Sequence, residues 1–274
     1  MSRELDFYCG KVVLITGAAG GIGQGLALSL ASVCEALVLV DISESRLQET
    51  ITQCKALGDV TLYSLCVDIS DEQQMLAAYA TLPKDFCPDV IFANAGVGGL
   101  NPAQVFNVAV DRQIMSINYF GTVHSVAPFL SKMIKRGNGQ IVAVSSLASL
   151  RGLPAAASYS ASKAAMNNLL ESWRLDLAPY GVQVSTFLPG FIQTAMANHQ
   201  DFDMPFTVSV TDCVQIILGG TAKKKKRVLF PWPMKFLALA NRMLPIWLYD
   251  WLLPIINSGM NASEAKIFSA ENKD

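Results

Sequence analysis

Residues 16–23, Thr-Gly-Ala-Ala-Gly-Gly-Ile-Gly, join an apolar run, Lys11–Thr16, directly to a helical pattern, Gly21–Cys34. Glycine permits the tight turn that such a junction needs, and it lets backbone N–H groups approach a bound anion closely. The helix that follows adds partial positive charge at its N-terminus. No Gly-Lys-Ser/Thr follows, so a nucleotide-triphosphate loop is excluded. The segment therefore reads as a dinucleotide cradle built on Gly17, Ala19, Gly21, Ile22 and Gly23.

The same strand–helix alternation continues. Ala36–Val40, Val60–Val67, Asp89–Ala93, Gln140–Ser145, Val182–Leu188 and Arg227–Phe230 read as strands. Ser43–Leu57, a stretch opening at Ser70 and running to about Ala80, about Ala103–Lys135, and Ala156–Pro179 read as helices. Ser70 with Gln73 has the spacing of a capping box. Continuous apolar strands separated by helices imply an α/β, doubly wound parallel sheet of seven strands, covered on both faces. The charge-free stretches 12–34, 90–110 and 113–131 are long enough to suggest membrane spans, but Gly- and Pro-rich interruptions argue for buried strand–loop–helix units.

Composition narrows the function classes. Of 274 residues, 51% are hydrophobic and 16% charged, and 21 Lys and Arg nearly balance 22 Asp and Glu. Disordered chains are charge-rich, and nucleic-acid binders carry a positive excess, so both are excluded. Six scattered cysteines with no CxxC, and two histidines, make a metal site improbable. The cysteines read as buried free thiols in a reducing compartment. The polar N-terminus lacks a signal-peptide apolar core, which gives a cytoplasmic expectation.

In dinucleotide folds an acidic residue follows the glycine segment by about 20 positions, at the end of the second strand. Asp41 stands there. Its carboxylate would accept both ribose hydroxyls and repel a 2′-phosphate, and the glycine segment holds no Arg or Lys. The expected cofactor is therefore NAD rather than NADP. Arg46 is the nearest basic residue and is expected to face solvent. A helix N-cap is the alternative role for Asp41.

Tyr159 and Lys163 lie four apart in a helix-forming run, so they share a face. A neighbouring ammonium and a positive nicotinamide both favour phenolate, which suits Tyr159 to general acid/base work near neutral pH. Ser145 and Ser146 end a strand, at the sheet edge where open α/β folds bind ligands. Asn118 lies in the long helix before them.

With these residues in place, the chain resembles the short-chain dehydrogenase/reductase family from about Lys11 to Pro231. The resemblance rests on TGAAGGIG at 16–23, Asp68, Asn94-Ala95-Gly96, Asn118, Ser146, Tyr159-x3-Lys163, and Pro189-Gly190 with Thr194. The serine 13 positions before the tyrosine has the family's spacing, which favours Ser146 over Ser145. The resemblance implies that Tyr159 exchanges a proton with the substrate oxygen and that Ser146 hydrogen-bonds it. Lys163 would lower the tyrosine pKa and hold the nicotinamide ribose, and Asn118 would position a relay water. Asp68 and Ile69 would meet the adenine, and Asn94, Ala95 and Gly96 would support the cofactor. Pro189, Gly190, Ile192 and Thr194 would border the nicotinamide.

The resemblance also implies a substrate loop over Phe191–Phe206, containing Met196, Phe202, Met204 and Phe206, with Leu147–Pro154 as the opposite wall. The expected substrate is a hydrophobic secondary alcohol or ketone; a 3-oxoacyl thioester is an alternative, and so is a non-catalytic NAD sensor or scaffold. Arg151 and His199 are expected in solvent, with carboxylate binding the other reading. A homodimer or homotetramer is expected.

Residues 1–231 form the expected dehydrogenase domain, and 232–274 an apolar extension with two short helices, about Met234–Met243 and Ile246–Ile255. Three of the four tryptophans, Trp232, Trp247 and Trp251, lie in it. The basic run 223–227 is immediately upstream. Two readings stay open for 223–256: peripheral contact with a membrane surface, or cover for a partner subunit or the substrate pocket.

Overall fold

The computed structural model describes residues 4–193 and 206–257. One seven-stranded sheet, all parallel, runs in the order β3-β2-β1-β4-β5-β6-β7. The strands are β1 Val12–Thr16, β2 Ala36–Asp41, β3 Thr61–Cys66, β4 Val90–Ala93, β5 Gly139–Val144, β6 Val182–Pro189 and β7 Arg227–Phe230. The chain winds outward from β1 to β3, then crosses back to β4 on the other side of β1. This reversal opens a crevice at the carboxyl ends of β1 and β4, where such sheets bind ligands.

The helices are α1 Gly21–Leu30, α2 Glu44–Leu57, α3 Glu72–Ala80, α4 Val108–Met115, α5 Gly121–Arg136, α6 Ala157–Leu177, α7 Val210–Ala222, α8 Trp232–Met243 and α9 Ile246–Asn257. Because strand side chains alternate, Val13 and Ile15 face one core and Leu14 the other. The first core takes Leu26 and Leu30 of α1, Leu47 and Ile51 of α2, and Ile217 of α7. The second takes Met75 of α3, Phe129 and Met133 of α5, and Met166 and Leu170 of α6. Each such fully buried side chain contributes about 1.5–3 kcal/mol. The doubly wound reading of the sequence therefore holds.

Several local expectations are corrected. The helix α1 stops at Leu30 rather than Cys34. The capping box at Ser70 does not form: Asp71 is the N-cap of α3, and its carboxylate accepts from the Gln74 backbone N–H at 3.0 Å. The stretch 103–135 is not one helix. A 3-10 turn over Ala103–Val105 precedes α4, whose N-cap Asn107 accepts from Ala109 N–H, and a π-helical turn over Ser116–Phe120 separates α4 from α5. The helix α7 was not anticipated. It carries Gly219 and Gly220 in its last turn, and its helicity comes from burial of Cys213, Val214, Ile217 and Leu218. All six cysteines are free, but only Cys34, Cys54 and Cys213 are buried; Cys9 and Cys66 are exposed.

The helix α8 leaves the carboxyl end of β7 and packs on β7 and on the 3-10 turn Leu147–Leu150 after β5. Among the described residues, no helix is long and apolar enough to cross a membrane. The basic run does not adjoin α8. It ends on Arg227, the first residue of β7, so about 13 Å of strand separates the two. Lys223 pairs with Glu4 at 2.7 Å and Arg227 with Glu171 at 3.2 Å.

Candidate active site

The glycine segment folds as a turn between β1 and α1. Gly17 and Gly21 take φ of +69° and +52°, which favour glycine. A Cβ on Gly23 would overlap the Gly17 carbonyl, and one on Gly17 would stand 2.9 Å from Ala95 Cα. Gly20 is the N-cap of α1 and supplies no side chain to the first-turn N–H groups. No acidic side chain stands in that turn. An uncapped helix start under a glycine turn fits an anionic group such as a pyrophosphate.

Asp41, at the end of β2, accepts from Ala19 N–H at 2.9 Å and Ser43 N–H at 3.1 Å. Ser43, not Asp41, is the N-cap of α2. The carboxylate therefore ties the glycine turn to α2 and keeps accepting capacity for further donors. Arg46 is exposed, as expected, but its Nη1 lies 3.9 Å from the Cβ position of Gly20. That places a cation beside the rim of the cradle, which the linear sequence had not suggested.

Asn94 closes the crevice floor. Its Nδ2 donates to Thr16 O at 3.0 Å, and the Thr16 hydroxyl accepts from the N–H groups of Asn94 and Ala95, both at 3.1 Å. Thr16 is a supporting residue that sequence reasoning assigned only to the turn. Asp68 accepts from Ser70 N–H at 2.8 Å, and buried Ile69 offers its carbonyl to His124 Nδ1 at 2.9 Å. Both follow β3 on the cradle side of the sheet.

Asn118 sits fully buried in the π-helical turn. Such turns recur at functional positions, because the extra residue redirects a side chain without ending the helix. Its Oδ1 accepts from Val97 N–H at 2.8 Å, while its Nδ2 donates to Val97 O at 2.9 Å and Ser162 Oγ at 3.0 Å. The amide thus fixes the loop after β4 against α6. Val97 and Ser162 were not singled out beforehand; Ser162 stands three residues after Tyr159, which could have drawn attention to it.

Tyr159 and Lys163 are one turn apart in α6. Burial pushes the Tyr159 pKa up, and the Ser146 side chain near the phenol opposes the rise. Lys163 is buried, donates from Nζ to Val144 O at 3.0 Å, and lies 6.0 Å from the Tyr159 ring centroid. Burial pulls its pKa down to about 8. Gly96 leaves room there: a Cβ on it would meet Asn118 Oδ1 at 2.9 Å and Lys163 Nζ at 3.2 Å. Ser145 points away, its hydroxyl donating to Lys163 O at 3.5 Å. Of the two serines, it is Ser146 that faces the phenol.

Pro189 ends β6. Gly190 N–H donates to Phe230 O at 2.8 Å, and Ile192 bridges Val208. A Cβ on Gly190 would touch Met234 of α8 at 3.4 Å, so α8 walls the site. Thr194, Met196, His199, Phe202 and Met204 lie outside the described residues. Arg151 is not the solvent-facing group expected. Its Nη1 donates to Leu244 O at 2.9 Å and to Asn241 O, its guanidinium stacks 3.8 Å from the Tyr249 ring centroid, and it is therefore committed to the end of α8.

The short chain dehydrogenase family profile matches residues 11–204. An uncharacterized oxidoreductase of Myxococcus xanthus is 33% identical over 241 residues, spanning 88% of this chain and 95% of that protein. An 11-beta-hydroxysteroid dehydrogenase-like protein of Arabidopsis thaliana is 31% identical, spanning 90% and 82%. A short chain dehydrogenase/reductase from Burkholderia phymatum, in complex with NAD, superposes with TM-score 0.77 at 25% identity over 86% of this chain and 93% of that one. A relative from Burkholderia cenocepacia, in complex with NADP, gives 0.76 at 27% identity over 90% and 98%. The chain belongs to the short chain dehydrogenase family.

Proposed function

We propose that the protein is an NAD-dependent oxidoreductase interconverting a secondary alcohol and a ketone on a hydrophobic small molecule, with Tyr159 as general acid/base. The observation that carries this reading is the convergence of Ser146 on the Tyr159 phenol, one helical turn from buried Lys163. Residues 1–231 would hold this chemistry, and 232–274 would be the extension that follows it in the chain. A homo-oligomer with a small-molecule substrate fits the family.

The uncapped start of α1, with Gly17, Ala19, Gly21, Ile22 and Gly23, would hold the pyrophosphate. Asp41 would take the adenosine ribose, and Asp68 and Ile69 would border the adenine. Asn94, Ala95, Gly96, Pro189, Gly190, Ile192 and Thr194 would line the rest. When bound, a nicotinamide accepts or returns a hydride. The protein's own part is the proton. Ser146 would hold the substrate oxygen, and Tyr159 would take its proton during oxidation. Among the described residues the buried ammonium of Lys163 donates only to Val144 O, and its charge favours the phenolate that burial alone opposes. Asn118, held at both ends of its amide, fixes the loop behind Lys163, where it would position a relay water.

One observation favours a second cofactor reading. Arg46 beside Gly20 could neutralise a 2′-phosphate, which would allow NADP despite Asp41.

Tyr159→Phe tests the mechanism. It should keep cofactor affinity in a NADH fluorescence titration and lower turnover by about 10²–10⁴-fold across a screen of hydrophobic alcohols and ketones. A near-wild-type rate on a good substrate would remove Tyr159 from the role.

A further inference from the structure

The turn that carries Ser146 is tied to α6 by a bridge that lies outside the reacting groups. Ser146 is the N-cap of the 3-10 turn Leu147–Leu150, and its Oγ accepts from Ala148 N–H at 3.1 Å. That bond occupies a lone pair; the hydroxyl hydrogen is the part that can meet a substrate oxygen. The Ser146 carbonyl accepts twice from Ser149, from its N–H at 3.1 Å and from its hydroxyl at 2.5 Å. A hydroxyl has one hydrogen to give. Ser149 gives it to Ser146, so its 2.7 Å bond with Asn167 is one it accepts, and the amide turns Nδ2 toward it. The bonds run in sequence from Asn167 to Ser149 to Ser146.

Asn167 stands on α6 with Tyr159 and Lys163, four residues after the lysine. Residues four apart are neighbours on one helix face. One helix therefore carries the phenol, the ammonium and the amide that reaches back to the turn after β5. Two other bonds join this strand end to α6: Lys163 Nζ to Val144 O at 3.0 Å, and Ser145 Oγ to Lys163 O at 3.5 Å. Both act before Ser146. Among the described residues, the Asn167–Ser149 bond is the one hydrogen bond between α6 and the turn Leu147–Leu150.

Stability does not explain this residue. Asn167 is 6% exposed, and among the described residues its buried Oδ1 has no hydrogen-bond partner. An unpaired buried amide oxygen weakens a fold, whereas an apolar side chain of similar size does not. Met166 and Leu170, beside it on α6, show that apolar residues are at home in this layer. Departures from good packing are expected where a group serves a site.

We propose that Asn167 is a positioning residue: through Ser149 it sets where the Ser146 hydroxyl stands relative to the Tyr159 phenol. Both groups must come within about 3 Å of one substrate oxygen, so a displaced turn lowers turnover without disturbing the cofactor cradle. The inference rests on the proposed role of Ser146.

The test compares Asn167→Leu, Ser149→Ala and Ser146→Ala, alone and combined, on the fastest compound of the alcohol and ketone screen. Asn167→Leu should lower kcat about 10–100-fold, keep NADH affinity, and hold or raise the thermal midpoint. Ser149→Ala, a smaller change at a half-buried position, should lower kcat in the same way. In a Ser146→Ala background, Asn167→Leu should have little further effect, because the group it positions is gone. A kcat within about twofold of wild type in both Asn167→Leu and Ser149→Ala overturns the inference. Full additivity with Ser146→Ala overturns it too, since a merely structural role gives that result. If Ser146→Ala itself keeps wild-type turnover, the proposed chemistry falls and this inference with it. If Ser146→Ala is slow and Asn167→Leu is not, the inference alone falls. Crystal structures need no substrate: in Asn167→Leu the Ser146 hydroxyl should shift by about 0.5 Å or more relative to Tyr159, and an unmoved hydroxyl overturns the inference.

Discussion

The crevice between β1 and β4 and the extension α8–α9 are built on opposite rules. In the crevice, central polar groups are held by partners distant in sequence: Asn94 by Thr16, Asn118 by Val97, Asp41 by Ala19. Apolar residues there point into the two cores. In the extension the large apolar residues point outward, and only a few contacts, centred on Arg151, Tyr249 and Met234, hold it. Between α6 and α8 a polar cavity of about 270 Å³ remains, lined by Asn167, Glu171, Arg227 and Arg242. Dense cross-links make a position intolerant of change; sparse ones leave a surface available to something else.

A pair of glycines gives the largest contrast. Gly23→Ala drives a Cβ into backbone at the cradle, so it should cost 1–3 kcal/mol or more, about the cost of overpacking, and lower NADH affinity at least tenfold. Gly152→Ala, beside the extension, has no neighbour within 4 Å and should shift stability by under about 0.5 kcal/mol. Thermal unfolding with NADH titration checks both, and equal effects would break the comparison.

Arg151→Met comes next. It removes the donors that close the end of α8, so it should cost about 1–3 kcal/mol. The loss should be local: amide exchange should quicken over 232–252 and stay unchanged in β5. Uniform acceleration would mean that the extension is part of the core.

Lys163 makes a stability prediction with a definite sign. Its folded pKa, about 8, lies below its unfolded value, so between pH 8 and 10 the unfolded chain binds more protons. Stability contributed at this site therefore rises with pH across that window, by up to about 1 kcal/mol per pH unit. Lys163→Met should flatten the rise in denaturant titrations taken at several pH values. Among the described residues the extension holds no buried lysine, so its stability should not rise with pH in this way.

The smallest effect concerns Asp41→Asn, which keeps an acceptor for Ala19 N–H while removing the charge. The Michaelis constant for NAD should rise several-fold and discrimination against NADP should relax, about 1 kcal/mol in all. Unchanged preference in steady-state kinetics would leave the choice to Arg46.

Much of the crevice was legible because its signals are local. Strands buried on both faces read as apolar runs, and Tyr159 and Lys163 share a helix face through spacing alone. What escaped depends on long-range packing. The helix α7 has two glycines that weaken its propensity and is held by burial against α1, where a Cβ on Gly25 would come 2.8 Å from Val214. The stretch 103–135 has helical periodicity throughout, and its division at Asn107 and Asn118 comes from side-chain bonds to Asn101 and Val97. Arg151 looked solvent-bound because its acceptors lie 90 and more residues away.

By itself, then, the sequence determined the sheet, the cradle and the spacing of Ser146, Tyr159 and Lys163, since backbone conformation and side-chain period act over a few residues. It also determined that α8 is amphipathic. Only the tertiary structure decided which side of α8 is docked and that the basic run lies at the far end of β7. A stripe of apolar residues states that one face avoids water; whether protein or another phase covers it is set by what lies across the gap.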